Sequence, residues 1–109
     1  MPVGALTSIV HRMTGVLLAA SVPFGVYLLD LSLRSEHAFA QMLGLFEFPA
    51  IKGTAIVLTW ALAHHALAGI RHLLTDISIG STLAAARRMA WLVNLGAAAI
   101  AVIAAGALL

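Results

Sequence analysis

Three apolar segments, each long enough to cross a lipid bilayer, account for most of this 109-residue chain. A hydrocarbon core of roughly 30 Å is crossed by about 20 helical residues. The segments run from about 14 to 33, 53 to 74 and 89 to 109. Only 9% of the residues are charged, whereas about a quarter are charged in a typical soluble domain. We therefore predict an all-α membrane protein in which residues 1–109 form a single domain of three transmembrane helices.

Polar residues and helix breakers separate these segments. The first connection contains Arg34, Ser35, Glu36, His37, Pro49 and Lys52, and the second contains Asp76, Ser78, Gly80, Ser81, Arg87 and Arg88. Ser81 or Thr82 is expected to cap the third helix, because both can accept a hydrogen bond from the first helical turn. Pro23 lies inside the first segment, where we expect a bend and not a helix end.

Basic residues are unevenly distributed between the two ends of the predicted helices. The N-terminal end and the second connection carry Arg12, Arg71, Arg87 and Arg88 against Asp76, and the other end carries Arg34 and Lys52. The positive-inside rule places the N-terminus in the cytoplasm and the C-terminus outside. Because the net charge is only +2 and the basic residues are scattered between apolar segments, we expect the lipid bilayer, and no nucleic acid, as a partner.

The absence of cysteine narrows the redox chemistry that this chain can support. Disulfides, thiolate-bound iron-sulfur clusters and covalently attached haem all need cysteine. A redox group held by this chain would be bound noncovalently, through histidine.

Histidines cluster at the end of the second segment, in the sequence HHALAGIRHLLTD (residues 64–76). Ionisable side chains inside a membrane segment are costly, and they usually mark a functional site. His65, Gly69 and His72 share one helical stripe, and His65 lies about 9 Å deeper than Arg71 along the helix axis. Neutral imidazole is a common ligand of haem iron, and a glycine one turn away leaves room for a porphyrin. We predict that His65 is an axial haem ligand.

His64 cannot supply the second axial ligand of the same iron, because adjacent helical residues point about 100° apart. No other histidine of the chain lies at that depth. If the haem is six-coordinate, its second ligand comes from another polypeptide, either a different subunit or a second copy of this chain. For His64 we favour a hydrogen bond to a neighbouring helix.

Arg71 and His72 are predicted to bind the haem propionates, which need cationic or hydrogen-bonding partners at the membrane edge. Arg71 could equally be a topology anchor whose long side chain reaches the interface. In that alternative Asp76 is its salt-bridge partner.

A second polar cluster opens the first helix, where Ser8, His11, Arg12 and Gly15 share one face. A hydroxyl and a guanidinium at the membrane boundary can hydrogen-bond the oxygens of a quinone, which makes Ser8 and Arg12 candidate quinone-binding residues. His11 would reach a haem propionate or relay protons. The alternative is that Ser8 caps the helix and Arg12 is a positive-inside charge.

The third segment is rich in small residues, among them Gly96, Ala97, Ala101, Ala105 and Gly106. This composition suits tight helix packing, although it also fits a generic alanine-rich span. Asn94 is the only polar residue of this segment deep enough to add an interhelical hydrogen bond.

The sequences SIVHRMTG (residues 8–15) and HALAGIRHLLTD (residues 65–76) together resemble the paired signatures of the cytochrome b subunits of succinate dehydrogenase. These subunits are one of the two membrane anchors of respiratory complex II. The resemblance covers nearly the whole chain, including the three spans and the order of the motifs. It implies that His65 is one axial ligand of haem b and that the second anchor supplies the other. It also implies that Ser8 and Arg12 line the ubiquinone site, with His11 and Arg12 near the haem propionates.

The resemblance implies an electron-transfer and quinone-binding anchor of succinate:ubiquinone oxidoreductase, within a larger hetero-oligomeric helix bundle. A flavoprotein subunit would oxidise succinate, an iron-sulfur subunit would pass the electrons on, and ubiquinone would be reduced beside this chain. We expect a bacterial cytoplasmic (inner) membrane, in preference to the mitochondrial inner membrane. Two alternatives are a homodimeric bis-histidine cytochrome b and a haem-free structural or proton-path subunit.

Overall fold

The computed structural model describes residues 3–79 and 82–109, and these ranges form four helices. The helices are α1 (Val3–Arg34), α2 (Glu36–Leu45), α3 (Pro49–Asp76) and α4 (Leu83–Leu108). Helices α1, α3 and α4 are long and apolar enough to cross a membrane. The predicted all-α membrane fold with three spans is confirmed.

Helix α1 begins at Val3, well before the apolar segment that starts near Thr14. Its 32 residues extend over about 48 Å at 1.5 Å per residue, which exceeds the hydrocarbon thickness of roughly 30 Å. The N-terminal part of α1, which carries polar residues, therefore extends beyond the hydrocarbon to the level of the lipid headgroups. Pro23 lies inside α1 and does not end it, as expected.

The first connection contains a helix, α2, where the sequence predicted only a break. The side chain of Ser35 caps it by accepting a hydrogen bond from the main-chain nitrogen of Ala38 at 3.0 Å. Glu36 in the first turn adds a favourable interaction with the helix dipole. Helix α2 packs against α1 and buries Ala38. After a short turn, Pro49 opens α3 at a position where its missing N–H is not needed.

Helix α3 ends in a Schellman arrangement. The nitrogen of Ile79 donates to the carbonyl of Leu74 at 2.8 Å, and the nitrogen of Ser78 donates to the carbonyl of Thr75 at 2.9 Å. At the start of α4 the hydroxyl of Thr82 accepts a hydrogen bond from the nitrogen of Ala85 at 3.2 Å, which confirms Thr82 as a cap. Gly80 and Ser81 lie outside the described residues.

Small and polar residues form the interior of the bundle. Helix α3 packs against both α1 and α4, and α1 also contacts α4. The buried residues of the three spans are Thr7, Thr14, Ala61, His64, Ala68, Ala90, Val93 and Ala97. They recur every three, four or seven positions, so each helix presents one narrow stripe to its neighbours. Of the two interpretations left open for the third segment, tight packing holds at Ala97, which is fully buried. Gly106 is exposed, and a Cβ atom there would meet nothing within 4 Å.

Large aliphatic and aromatic side chains lie mostly on the outside of the bundle. Val16, Phe24, Leu92 and Val102 are each at least 70% exposed. Such a surface is typical of helices that face lipid tails or other membrane helices, because neither environment penalises exposed apolar groups. By contrast, Thr7, Thr14 and His64 are buried between the helices.

Candidate functional site

The antiparallel packing of α1 and α3 brings histidines of the two sequence motifs together. The rings of His11 and His65 are stacked, with centroids 4.2 Å apart and planes 9° apart. The ring of His72 lies 5.1 Å from that of His11, in a tilted orientation. The prediction that no other histidine lies at the depth of His65 is therefore wrong for His11, whose side chain reaches the His65 ring from α1. His11, His65 and His72 form what we call the histidine cluster.

The hydrogen bonds of His65 determine which ring nitrogen is free to coordinate. Its Nδ1 lies 3.2 Å from the main-chain oxygen of His11 and 3.4 Å from Oγ1 of Thr14. The Thr14 hydroxyl itself donates to the oxygen of His11 at 2.9 Å. A carbonyl only accepts, so in the neutral ring the proton lies on Nδ1 and the lone pair on Nε2. Among the described residues, Nε2 of His65 has no hydrogen-bond partner, and it is the nitrogen able to bind a metal.

Two glycines lie against the histidine cluster. A Cβ atom at Gly15 would be 3.0 Å from Cε1 of His65, closer than side chains normally approach. Gly15 therefore allows the His65 ring to lie against the backbone of α1. A Cβ atom at Gly69 would be 3.9 Å from Nε2 of His11, an ordinary contact. The space beside Gly69, where we predicted room for a porphyrin, is adjacent to the His11 ring.

His64 faces α4, about 100° around the axis of α3 from His65. Its side chain is 2% exposed, and its Nε2 lies 2.9 Å from Oδ1 of Asn94. This contact confirms the hydrogen bond to a neighbouring helix that was favoured for His64. It also confirms that Asn94 forms an interhelical hydrogen bond. Consecutive histidines thus point toward different helices.

Arg71 is half-buried and lines a groove between α3 and α4 with Met89 and Val93. Its Nε is buried without a hydrogen-bond partner among the described residues. No salt bridge joins it to Asp76 in this part of the chain. Among the described residues, no hydrogen bond joins the Arg71 side chain to the histidine cluster, and its Nε lacks an acceptor.

Arg12 borders an apolar groove of about 670 Å³ on the outer side of α1. Met13, Leu17 and Trp60 also line this groove. Ser8 is half-buried one turn before Arg12, and its hydroxyl forms no hydrogen bond within the described ranges. Ser8 does not line the groove, so the structure places the two residues on one helix without bringing them into one pocket.

The sequence reasoning missed two threonines of α1. Thr7 and Thr14 are 0% and 2% exposed, and Thr14 contacts the predicted haem ligand. A signal was present, because Thr7, His11 and Thr14 follow the same i, i+4, i+7 spacing as a helix stripe. The spacing alone does not single out threonine, because its hydroxyl can also bond to its own helix, as Thr7 does with the oxygen of Val3 at 2.8 Å.

Comparison with known proteins identifies a family that matches nearly the whole chain. The family described as succinate dehydrogenase/fumarate reductase transmembrane subunit matches residues 1–105. The chain is 31% identical over 107 residues to the succinate dehydrogenase cytochrome b556 subunit of Paracoccus denitrificans, covering 94% of this chain and 79% of that protein. It is 32% identical over 101 residues to the subunit of the same name from Rickettsia conorii, covering 93% and 78%. With its three membrane-spanning helices, the chain belongs to the family of succinate dehydrogenase/fumarate reductase transmembrane subunits.

Proposed function

We propose that this chain is the cytochrome b anchor of a succinate:ubiquinone oxidoreductase and that Nε2 of His65 is one axial ligand of haem b. The observation that carries the proposal is the contact between Nδ1 of His65 and the oxygen of His11. Histidines that bind metals usually donate their other ring N–H to a carbonyl or carboxylate, which fixes the tautomer and the ring orientation. His65 already has this arrangement.

The side chains around His65 also fit a haem. Its two carboxylates need cations or hydrogen-bond donors. His11 and His72 lie in the histidine cluster. Arg12 lies near the start of α1 and Arg71 near the end of α3, and these two helix ends are on the same side of the bundle. Nε of Arg71 is a hydrogen-bond donor that has no acceptor among the described residues. We assign these four residues to the propionates.

The second axial ligand is assigned to another membrane anchor. His64 bonds to Asn94 and faces α4. The ring of His11 is stacked on that of His65, so these two rings do not lie on opposite faces of one porphyrin. We therefore assign one ligand, His65, to this chain. A haem held by two histidines has no open coordination position and supplies a one-electron relay. The task of this chain is then to orient one ligand, neutralise the propionates and exclude water from the ring.

Ser8 and Arg12 are assigned to the quinone. The groove beside Arg12 and Trp60 offers an apolar surface for an isoprenoid tail, and the guanidinium and the Ser8 hydroxyl offer donors to the quinone oxygens. Quinone reduction takes up protons, and His11 is the nearest group of this helix suited to relay them. Arg12 can serve both the quinone and a propionate, because its guanidinium has five N–H donors.

Succinate oxidation is assigned to soluble partner subunits, a flavoprotein followed by an iron-sulfur protein. Three of the helices in the described part of the chain are long and apolar enough to span a membrane, and the sequence contains no cysteine for an iron-sulfur cluster. The relatives are bacterial proteins, which favours a bacterial cytoplasmic membrane. The arginine-rich end, with the start of α1 and the α3–α4 connection, faces the cytoplasm under the positive-inside rule.

Cofactor and subunit content of the intact purified assembly test this function. A reduced-minus-oxidised spectrum should show a b-type haem, and mass spectrometry should find a flavoprotein, an iron-sulfur protein and a second small membrane subunit. A b-type spectrum from a complex containing this chain alone would indicate the homodimeric cytochrome. A colourless complex would reject the haem assignment.

A further inference from the structure

A continuous chain of hydrogen bonds joins all three membrane spans at His64. Nε2 of His64 lies 2.9 Å from Oδ1 of Asn94, and Nδ2 of Asn94 lies 3.1 Å from Oγ1 of Thr7. The hydroxyl of Thr7 then donates to the main-chain oxygen of Val3 at 2.8 Å. We call His64, Asn94 and Thr7 the interhelical relay. It links α3 through α4 to α1 in the interior of the bundle.

The donors and acceptors of this relay all run in one direction. The hydroxyl of Thr7 lies 2.8 Å from the oxygen of Val3 and 3.3 Å from Oδ1 of Asn94. The shorter contact takes its single proton, so its oxygen accepts from the amide nitrogen of Asn94. The amide oxygen of Asn94 then accepts from Nε2–H of His64. His64 is therefore the Nε2–H tautomer, with a lone pair on Nδ1. This Nδ1 is buried and has no partner among the described residues.

An unpartnered buried nitrogen is unfavourable, and a well-packed apolar side chain would avoid that cost. The relay is consequently a weak means of holding the bundle together. Its hydrogen bonds are directional, however, and a buried polar pair can fix the register of helices that apolar contacts leave undefined. This points to a role in orientation and not in overall stability.

The orientation at stake is the rotation of α3 about its own axis. The stripe of α3 that carries His64 also contains Ala61 and Ala68, both fully buried. Such methyl groups allow helices to approach closely, but they are too small to prevent one helix from rotating against the other. A side-chain atom about 6 Å from the axis moves by about 1 Å for each 10° of rotation. That displacement would break the hydrogen bond between His64 and Asn94.

His65 follows His64 directly, so any rotation of α3 also changes the direction of its Nε2. We propose that His64 is a positioning residue, which sets the orientation of the haem ligand His65 by bonding α3 to Asn94 and, through it, to Thr7. The proposal rests on the function proposed above only in taking His65 as the ligand. His64 contacts neither haem nor quinone in this scheme and acts through α3.

The test compares variants of the intact complex that keep or remove the relay. His64→Gln places an amide N–H close to the position of Nε2–H and keeps the bond. The double variant His64→Leu with Asn94→Leu removes both partners and the buried lone pair. Thr59→Val is the matched control, because the Thr59 hydroxyl bonds only to Ala55 of its own helix, at 2.8 Å.

The readouts are the low-spin EPR signal and the midpoint potential of the haem, which respond to the orientation of the axial imidazole. We expect the double variant to assemble and bind haem with a shifted or broadened signal, and His64→Gln and Thr59→Val to keep the wild-type signal. An unchanged signal in the double variant, or an equally altered one in His64→Gln, would overturn the proposal. If the double variant does not assemble, Thr7→Val decides, since it removes the last link without changing shape: a shifted signal supports the proposal and an unchanged one overturns it.

The positioning role can also be tested without haem. Leu67 and Gly96 face one another across α3 and α4, and a cysteine at each position reports how α3 is rotated. Oxidative cross-linking of Leu67→Cys with Gly96→Cys should proceed in the wild-type background and fall when the relay is removed. Equal cross-linking in both backgrounds would overturn the positioning role, whereas a colourless wild-type complex would overturn only the proposed function.

Discussion

Nδ1 of His65 lies 3.2 Å from the main-chain oxygen of His11, so the first span orients the histidine of the second. The two rings are also stacked, which adds a second contact between the same residues. The proposed ligand is therefore held by two helices. Changes in α1 that leave His65 itself intact should still reach the haem.

Replacement of His65 is the most direct test of the ligand. We expect His65→Ala to remove or strongly perturb the b-type absorbance, because among the described histidines it is Nδ1 of His65 that a main-chain oxygen holds. The reduced-minus-oxidised spectrum of the purified complex measures this. His37→Ala is the control, since His37 is exposed on α2. An unchanged spectrum in His65→Ala would mean that other polypeptides hold the iron.

Gly15→Ala should disturb the same ligand from the opposite helix. The new methyl group would lie 3.0 Å from Cε1 of His65, so the ring or the helix has to move. We expect a changed haem spectrum or potential, with a packing cost of about 1–3 kcal/mol, partly offset by about 1 kcal/mol of helix propensity. Gly25→Ala is the control in the same helix, because a Cβ atom there meets nothing within 4 Å. Identical haem properties in both variants would show that Gly15 is not a steric requirement.

Much of this site could be predicted from helical spacing alone. The stripe of His65, Gly69 and His72 does face one neighbour, and His64 and Ala68 face another, because 100° per residue separates them whatever the sequence around them. Which neighbour each stripe faces was not predictable, since that depends on the packing of three helices with similar apolar surfaces. The role of Thr14 became visible only when α1 was placed beside His65.

The limits of α1 were the weakest prediction. Hydropathy detects where a helix meets the hydrocarbon, whereas hydrogen bonding continues through Ser8, His11 and Arg12 to Val3. Helix α2 was missed because polar residues such as Glu36 and His37 also suit a short capped helix at a membrane surface. Both differences lie at the membrane boundary, where the residues become polar but the backbone remains helical.

Ser8→Ala and Arg12→Ala should separate quinone reduction from succinate oxidation. We expect each variant to lose most of its quinone reductase activity, while oxidation of succinate with an artificial electron acceptor persists. Steady-state assays with the two acceptors measure the ratio. Arg34→Ala is a matched loss of a cation, because Arg34 forms only an exposed pair with Asp30 at 2.6 Å on α1, an interaction worth less than about 1 kcal/mol. Normal quinone kinetics in both Ser8→Ala and Arg12→Ala would reject the assigned site.

Close packing between α3 and α4 should depend on Gly96. A Cβ atom there would lie 3.2 Å from Cδ1 of Leu67, at the end of a flexible side chain, so alanine can be accommodated by a small shift. Valine adds two further methyl groups in the same space, and we expect Gly96→Val to destabilise the complex by about 1–3 kcal/mol. A lower midpoint of thermal denaturation for the purified complex measures this effect. Gly106→Val provides the comparison on the same helix, because a Cβ atom at Gly106 meets nothing within 4 Å and an exposed substitution should change stability by no more than about 0.5 kcal/mol. Equal midpoints for Gly96→Val and Gly106→Val would show that the packing of α3 against α4 does not need a glycine where the Leu67 side chain contacts α4.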